Sequence, residues 1–125
     1  MRNIATLLII AATAGCAAPP RVVAPLDPTP LVCGGPEECT LFWRRAQVWV
    51  TRHSTYKLQT ISDTVIATHG PTRYSVDRAY QVTRIPGTDG RDEIVLESGC
   101  ANLFGCSTGR DADDASFKQY VRTGR

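Results

Sequence analysis

The sequence predicts an α+β domain, a four-stranded antiparallel meander sheet with an N-terminal and a C-terminal helix on one face. Three features predict it. Phe42, Ala46, Trp49 and Val50 recur at i, i+4, i+7 and i+8, the spacing of an amphipathic helix. From Tyr56 onward the period changes to two, in segments rich in β-branched residues. Near the C-terminus Asp111, Asp113 and Asp114 precede Lys118 and Arg122, and acid first with base last matches a helix macrodipole. A helix, a run of one-faced strands and a second helix make an α+β domain.

The chain begins with an export address. Arg2 supplies a positive start, Ile4 to Ala14 forms an apolar run, and Thr13-Ala14-Gly15-Cys16 places small residues before a cysteine. A spanning helix needs about 20 apolar residues, which disfavours a transmembrane anchor. The stretch resembles the bacterial lipobox, with Thr13 where that pattern usually carries Leu or another larger aliphatic residue. The resemblance implies that residues 1–15 are a lipoprotein signal peptide and that Cys16 becomes an N-terminus carrying acyl chains such as palmitate. Ala12 and Ala14 also fit an ordinary secretory cleavage, and under either reading the chain is exported. Ala17 resembles the outer-membrane sorting pattern, whose retention residue is Asp. The expected location is therefore the outer membrane, facing the periplasm, with a soluble periplasmic or secreted form as the alternative.

Removing Met1 to Gly15 from 125 residues leaves 110, enough for one small domain and too few for two. Loss of Arg2 from 14 basic residues leaves 13 against 12 acidic, a balance without the footprint of a nucleic-acid binder. Arg44, Arg45, Arg52 and Lys57 are read as a solvated helix face. With Cys16 assigned to lipid, Cys33, Cys39, Cys100 and Cys106 remain, an even number that in an exported small domain points to two disulfides. Zinc is disfavoured by the spacing and the compartment, and no metal or cofactor is expected.

Residues 16–36 contain prolines at 19, 20, 25, 28, 30 and 36 and read as a lipid-attachment cysteine followed by an extended tether, leaving 37–125 as the disulfide-stapled domain. Thr40 is expected to cap a helix starting at Leu41, with Glu37 and Glu38 suiting its positive end. Phe42, Trp43 and Trp49 are its core ballast. Strands follow over Tyr56 to Ile61 and Thr64 to His69, turning at Ser62-Asp63, which lacks the Gly of a strong hairpin signal. A third covers Ala79 to Ile85, and Pro86-Gly87-Thr88-Asp89-Gly90 marks the next turn. The fourth, Glu93 to Glu97, turns Ile94 and Leu96 to the core, and a closing helix over Ala112 to Val121 lays Phe117, Tyr120 and Val121 on the sheet.

Four cysteines permit three pairings. In this topology Cys39 and Cys100 would be separated by most of a helix, about 18 Å. A disulfide needs Cα atoms within about 7 Å, so Cys33 with Cys39 and Cys100 with Cys106 are preferred. The run Leu41-Phe42-Trp43-Arg44-Arg45-Ala46-Gln47-Val48-Trp49-Val50, the paired strands, and Tyr80-Gln81-Val82-Thr83 before a Gly-containing turn resemble small exported bacterial domains of unknown function with a TATA-binding-protein-like half-fold. The resemblance covers roughly residues 41–121, leaves out the cysteine pairs and carries no functional residue.

No catalytic constellation stands out. His53 sits where a histidine interacts with the last helix carbonyls, and His69 sits at a strand end before Gly70-Pro71. The Asp111, Asp113 and Asp114 trio lacks the ligand spacing of an EF-hand and reads as helix-start charge. The loop Cys100 to Cys106 encloses Asn102, Leu103 and Phe104, a candidate partner-binding tip, although burial of Leu103 and Phe104 under the closing helix is favoured. The expected function is a non-enzymatic, lipid-anchored module that binds or scaffolds an unknown envelope protein or cell-wall component. The alternatives are a small envelope hydrolase using His53 or His69 with Asp63 or Asp77, and an inhibitor of an envelope-degrading enzyme.

Overall fold

The computed structural model describes residues 27–125. The export signal, Cys16 and most of the expected tether lie outside the described residues. In chain order the elements are β1 (Val32–Gly34), α1 (Pro36–His53), β2 (Leu58–Ile61), β3 (Val65–Thr68), β4 (Ala79–Pro86), β5 (Arg91–Gly99) and α2 (Arg110–Thr123). The fold is α+β, and its sheet is antiparallel in the order β1-β5-β4-β3-β2.

The sheet therefore has five strands where four were expected. Val32 pairs with Glu93, Cys33 with Asp92 and Gly34 with Arg91, inside the segment assigned to the tether. Packed structure thus starts before residue 37. Pro28 and Pro30 obscured this strand, but proline is tolerated beside a sheet edge, where its missing N–H breaks no ladder. Burial of Leu31 and Cys33 fixes the segment, and the Ile94 N–H donates to Leu31 O at 2.8 Å.

The first helix also starts earlier than Leu41. Pro36 occupies the first turn, where its lost donor would be unpaired anyway, and Gly35 enters with a φ of 102°. Glu38 accepts from the Gly34 N–H, and Glu37 joins it in the first turn. Thr40 is not the cap: its hydroxyl donates to Pro36 O at 2.8 Å within the helix. Between β2 and β3 the turn is closed by Ser62, whose Oγ accepts from the Thr64 and Val65 N–H groups at 3.3 and 2.9 Å. A serine turn thus replaces the missing glycine.

Trp49 organises the core. Its ring meets Tyr80 of β4 and Phe117 of α2 edge-on, both at 5.3 Å between centroids, and its Nε1–H donates to Ser116 Oγ at 3.2 Å. Val50, Ile66, Val82, Ile94, Phe117 and Val121 are fully buried around it, each contributing about 1.5–3 kcal/mol of transfer free energy. Arg45, expected on a solvated face, instead donates to the carbonyls of Val121 and Arg122 at 3.0 and 2.9 Å and caps α2. Gly124 follows at φ 79°, where a Cβ would stand 3.2 Å from that guanidinium. Asp27 is tied to α2 through the Arg122 guanidinium and through Lys118 Nζ, which donates to Asp27 O at 2.8 Å. The Arg122 hydrogen bond and then the Thr29 N–H hold the Asp27 carboxyl down at about 2. No helix among the described residues is long and apolar enough to cross a membrane.

Candidate functional site

Strand β4 begins where β5 ends, Ala79 opposite Gly99, so the β3–β4 and β5–α2 connections emerge at one end of the sheet. A buried polar cluster joins them. The Arg78 side chain donates through Nε and Nη2 to Thr108 O at 2.9 and 2.8 Å and through Nη1 to Ser98 Oγ at 3.2 Å. Its Nε also lies 3.4 Å from Asp113 Oδ2, with Arg78 9% and Asp113 7% exposed. That carboxylate oxygen accepts from Tyr80 OH at 3.1 Å and Thr108 Oγ1 at 3.0 Å. Burial and the neighbouring Asp113 carboxylate push the Tyr80 phenol up to about 12. The Ser107 N–H donates to Val76 O at 2.8 Å and links the loops a second time.

The 100–106 loop stands on this base. Cys100 and Cys106 are disulfide-bonded, with Cα atoms 5.6 Å apart. Within the loop the Phe104 N–H donates to Asn102 Oδ1 at 2.7 Å, and Gly105 supplies a φ of 93° that favours glycine. Contrary to the expectation of burial, Leu103 is 99% and Phe104 96% exposed. Glycines and cysteines give the loop a tight outward path, and α2 buries Phe117 and Val121 instead. Tyr74 and Val76 on the adjoining connection are exposed too. Asn102, Leu103 and Phe104 are thus one prominent, covalently closed tip.

The other expected positions lie elsewhere. Cys33 and Cys39 are bonded to each other with Cα atoms 5.0 Å apart, joining β1 to the first turn of α1 inside the core. Their sulfurs and the Asp92 carboxylate lie within 4.8 Å of one another, but the mutual S–S bond engages both thiols, and Asp92 pairs with Arg84 at 2.6 Å. His53 stacks on the Trp49 indole at 4.0 Å, with Nδ1 2.9 Å from Trp49 O, the position expected of a helix-end histidine. His69 is exposed at the end of β3. Among the described residues neither histidine forms an ion pair with a carboxylate, Asp63 and Asp77 included. Asp77 accepts from Ser75 Oγ at 2.8 Å.

The aspartate trio divides. Asp114 pairs with Lys118 one turn on at 2.8 Å, as a helix-start charge should, whereas Asp113 turns inward to the Arg78 cluster. Sequence reasoning missed this cluster, because an arginine just before a strand gives no hint that it will be buried. An open depression of about 430 Å³ over β2 to β5 is lined in part by Gln59, Ala67, Gln81 and Glu97. Thr68, Tyr80 and Ser98 line it as well, and Gln81 Nε2 donates to Glu97 Oε2 there at 3.4 Å, so the depression is open and largely polar. No family model matches this chain, and neither does any curated protein or solved structure.

Proposed function

We propose that this chain is a lipid-anchored bacterial envelope protein, held at the outer membrane through Cys16 and facing the periplasm, whose domain is a non-enzymatic binding module with the 100–106 tip as its contact surface. The near-complete exposure of Leu103 and Phe104 on a doubly fastened loop carries the reading. Large apolar side chains held in water are unfavourable unless something covers them. A loop closed by a disulfide and seated on a buried arginine loses little freedom on binding, so more of the contact energy appears as affinity. Two cystines support export to an oxidising compartment. His53, occupied by its own helix, supports a structural role for that histidine over a catalytic one.

The test is a photoreactive amino acid at position 104 in living cells, read against the same chain with Leu103→Ser. A discrete covalent adduct with an envelope component, lost or diminished by L103S, is the expected result. Recovery of the uncoupled chain alone would overturn the reading. Mass spectrometry of the mature chain reports acylation at Cys16 in the same preparation, and a retained residue 1 would remove the anchor from the proposal.

A further inference from the structure

We propose that the surface met by Leu103 and Phe104 is the interfacial layer of a lipid bilayer, entered by the tip of the 100–106 loop; this rests on the binding-module reading and names its partner. Shape favours it first. Side chains 99% and 96% exposed project from a convex tip, with almost none of the protein's own surface beside them. A protein partner would have to supply the entire pocket, whereas a bilayer receives any convex apolar tip without complementary shape.

The chemistry of the loop fits the same surface. Residues 101–105 carry no charge, so nothing ionised leaves water on insertion. The Phe104 N–H is satisfied by Asn102 Oδ1, and the Gly105 N–H donates to Asn102 O at 3.4 Å, which reduces the backbone penalty of leaving bulk water. Tyr74 on the adjoining connection is 89% exposed, an amphipathic ring of the kind found at the headgroup level. The nearby charges in sequence, Arg73 and Arg110 against Asp77, Glu97 and Asp111, leave no basic excess to draw the tip to anionic headgroups. Insertion is then apolar in origin and independent of anionic lipid.

Reach completes the case. From Cys16 to Asp27 the chain has eleven residue steps, about 34 Å when extended. Asp27 is bound in the second half of α2, a helix of 14 residues or about 21 Å, whose first residue follows the tip loop. An anchored chain therefore reaches far enough for its tip to touch the same bilayer. Two apolar side chains alone bind a membrane weakly, and tethering raises their effective concentration at its surface.

The test uses the mature chain carrying Phe104→Trp, reconstituted in vesicles of phosphatidylethanolamine and phosphatidylglycerol containing a lipid spin-labelled near the headgroup. Trp43 and Trp49 are buried, so the unsubstituted chain supplies a constant background to subtract. The added indole is expected to emit further to the blue and to lose most of its intensity to the label, equally in phosphatidylcholine vesicles. An unquenched indole overturns the inference, and quenching confined to anionic vesicles overturns its apolar basis. If the indole stays unquenched while photocrosslinking from position 104 still yields a protein adduct, the bilayer is wrong and the binding module stands. If both are negative, both fall.

Discussion

Two cystines of identical spacing perform different tasks in this protein. Cys33–Cys39 and Cys100–Cys106 each join cysteines six positions apart, yet the first lies 0% and 1% exposed inside the core while the second closes a surface loop. The difference comes from what flanks them. Cys33 is on a strand bracketed by Leu31 and paired with β5, so its sulfur points where α1 packs. Cys100 follows the last residue of β5, and the loop beyond it is seated only at its base, through Thr108 and Ser107. Equal spacing fixes the size of a covalent ring, and burial decides whether that ring supports the core or displays a surface.

Substitutions at these two regions should separate the tasks, beginning with the base the tip stands on. Arg78→Met leaves the buried Asp113 carboxylate without its cation and should cost about 3–5 kcal/mol, read as a lowered urea midpoint. Loss of stability well under that range would show that Asp113 is satisfied without Arg78. Replacing Cys33 and Cys39 together by Ala should cost about 2–5 kcal/mol, because it removes a cross-link and two packed sulfurs at once.

The Tyr80 phenol gives a pH signature of the same base. Its folded value near 12 lies above its ordinary value of 10, so the neutral form is the one the fold prefers. The stability it lends is fully present below pH 10 and is lost as pH rises from 10 through 12. Tyr80→Phe should flatten that alkaline loss in thermal unfolding followed against pH. Replacing Cys100 and Cys106 by Ser comes next, at about 2 kcal/mol or less, since the loop they close is short and its neighbours are solvent. That variant should keep the fold while weakening photocrosslinking from position 104, a pairing the core cystine variant cannot show.

Much of this arrangement was legible in the sequence, for identifiable reasons. The helical spacing of Phe42, Ala46, Trp49 and Val50 and the alternation along β4 and β5 follow from burial of one face, so α1 and four strands could be placed. Local pairing of the cysteines followed from the length of a helix set against the reach of a disulfide. Strand β1 was hidden because prolines at 28 and 30 signal an extended tether, and an edge strand of three residues adds only Val32, Cys33 and Gly34 against them. Arg45 and Asp113 were read as surface charge because their partners, the last carbonyls of α2 and the Arg78 guanidinium, are remote or unremarkable in sequence. Leu103 and Phe104 were expected to be buried because apolar residues usually are. Their exposure depends on a loop path that no local pattern encodes.

The smallest effect tests the claim on which the tip's role depends. Leu103→Ser with Phe104→Ser, placed in the otherwise unchanged chain, should leave the urea midpoint within about 0.5 kcal/mol of the parent while abolishing the adduct formed from a photoreactive residue at position 102. A fall of about 2 kcal/mol or more would mean that these side chains are part of the core after all. Unchanged crosslinking at full stability would mean that they are displayed but contact nothing.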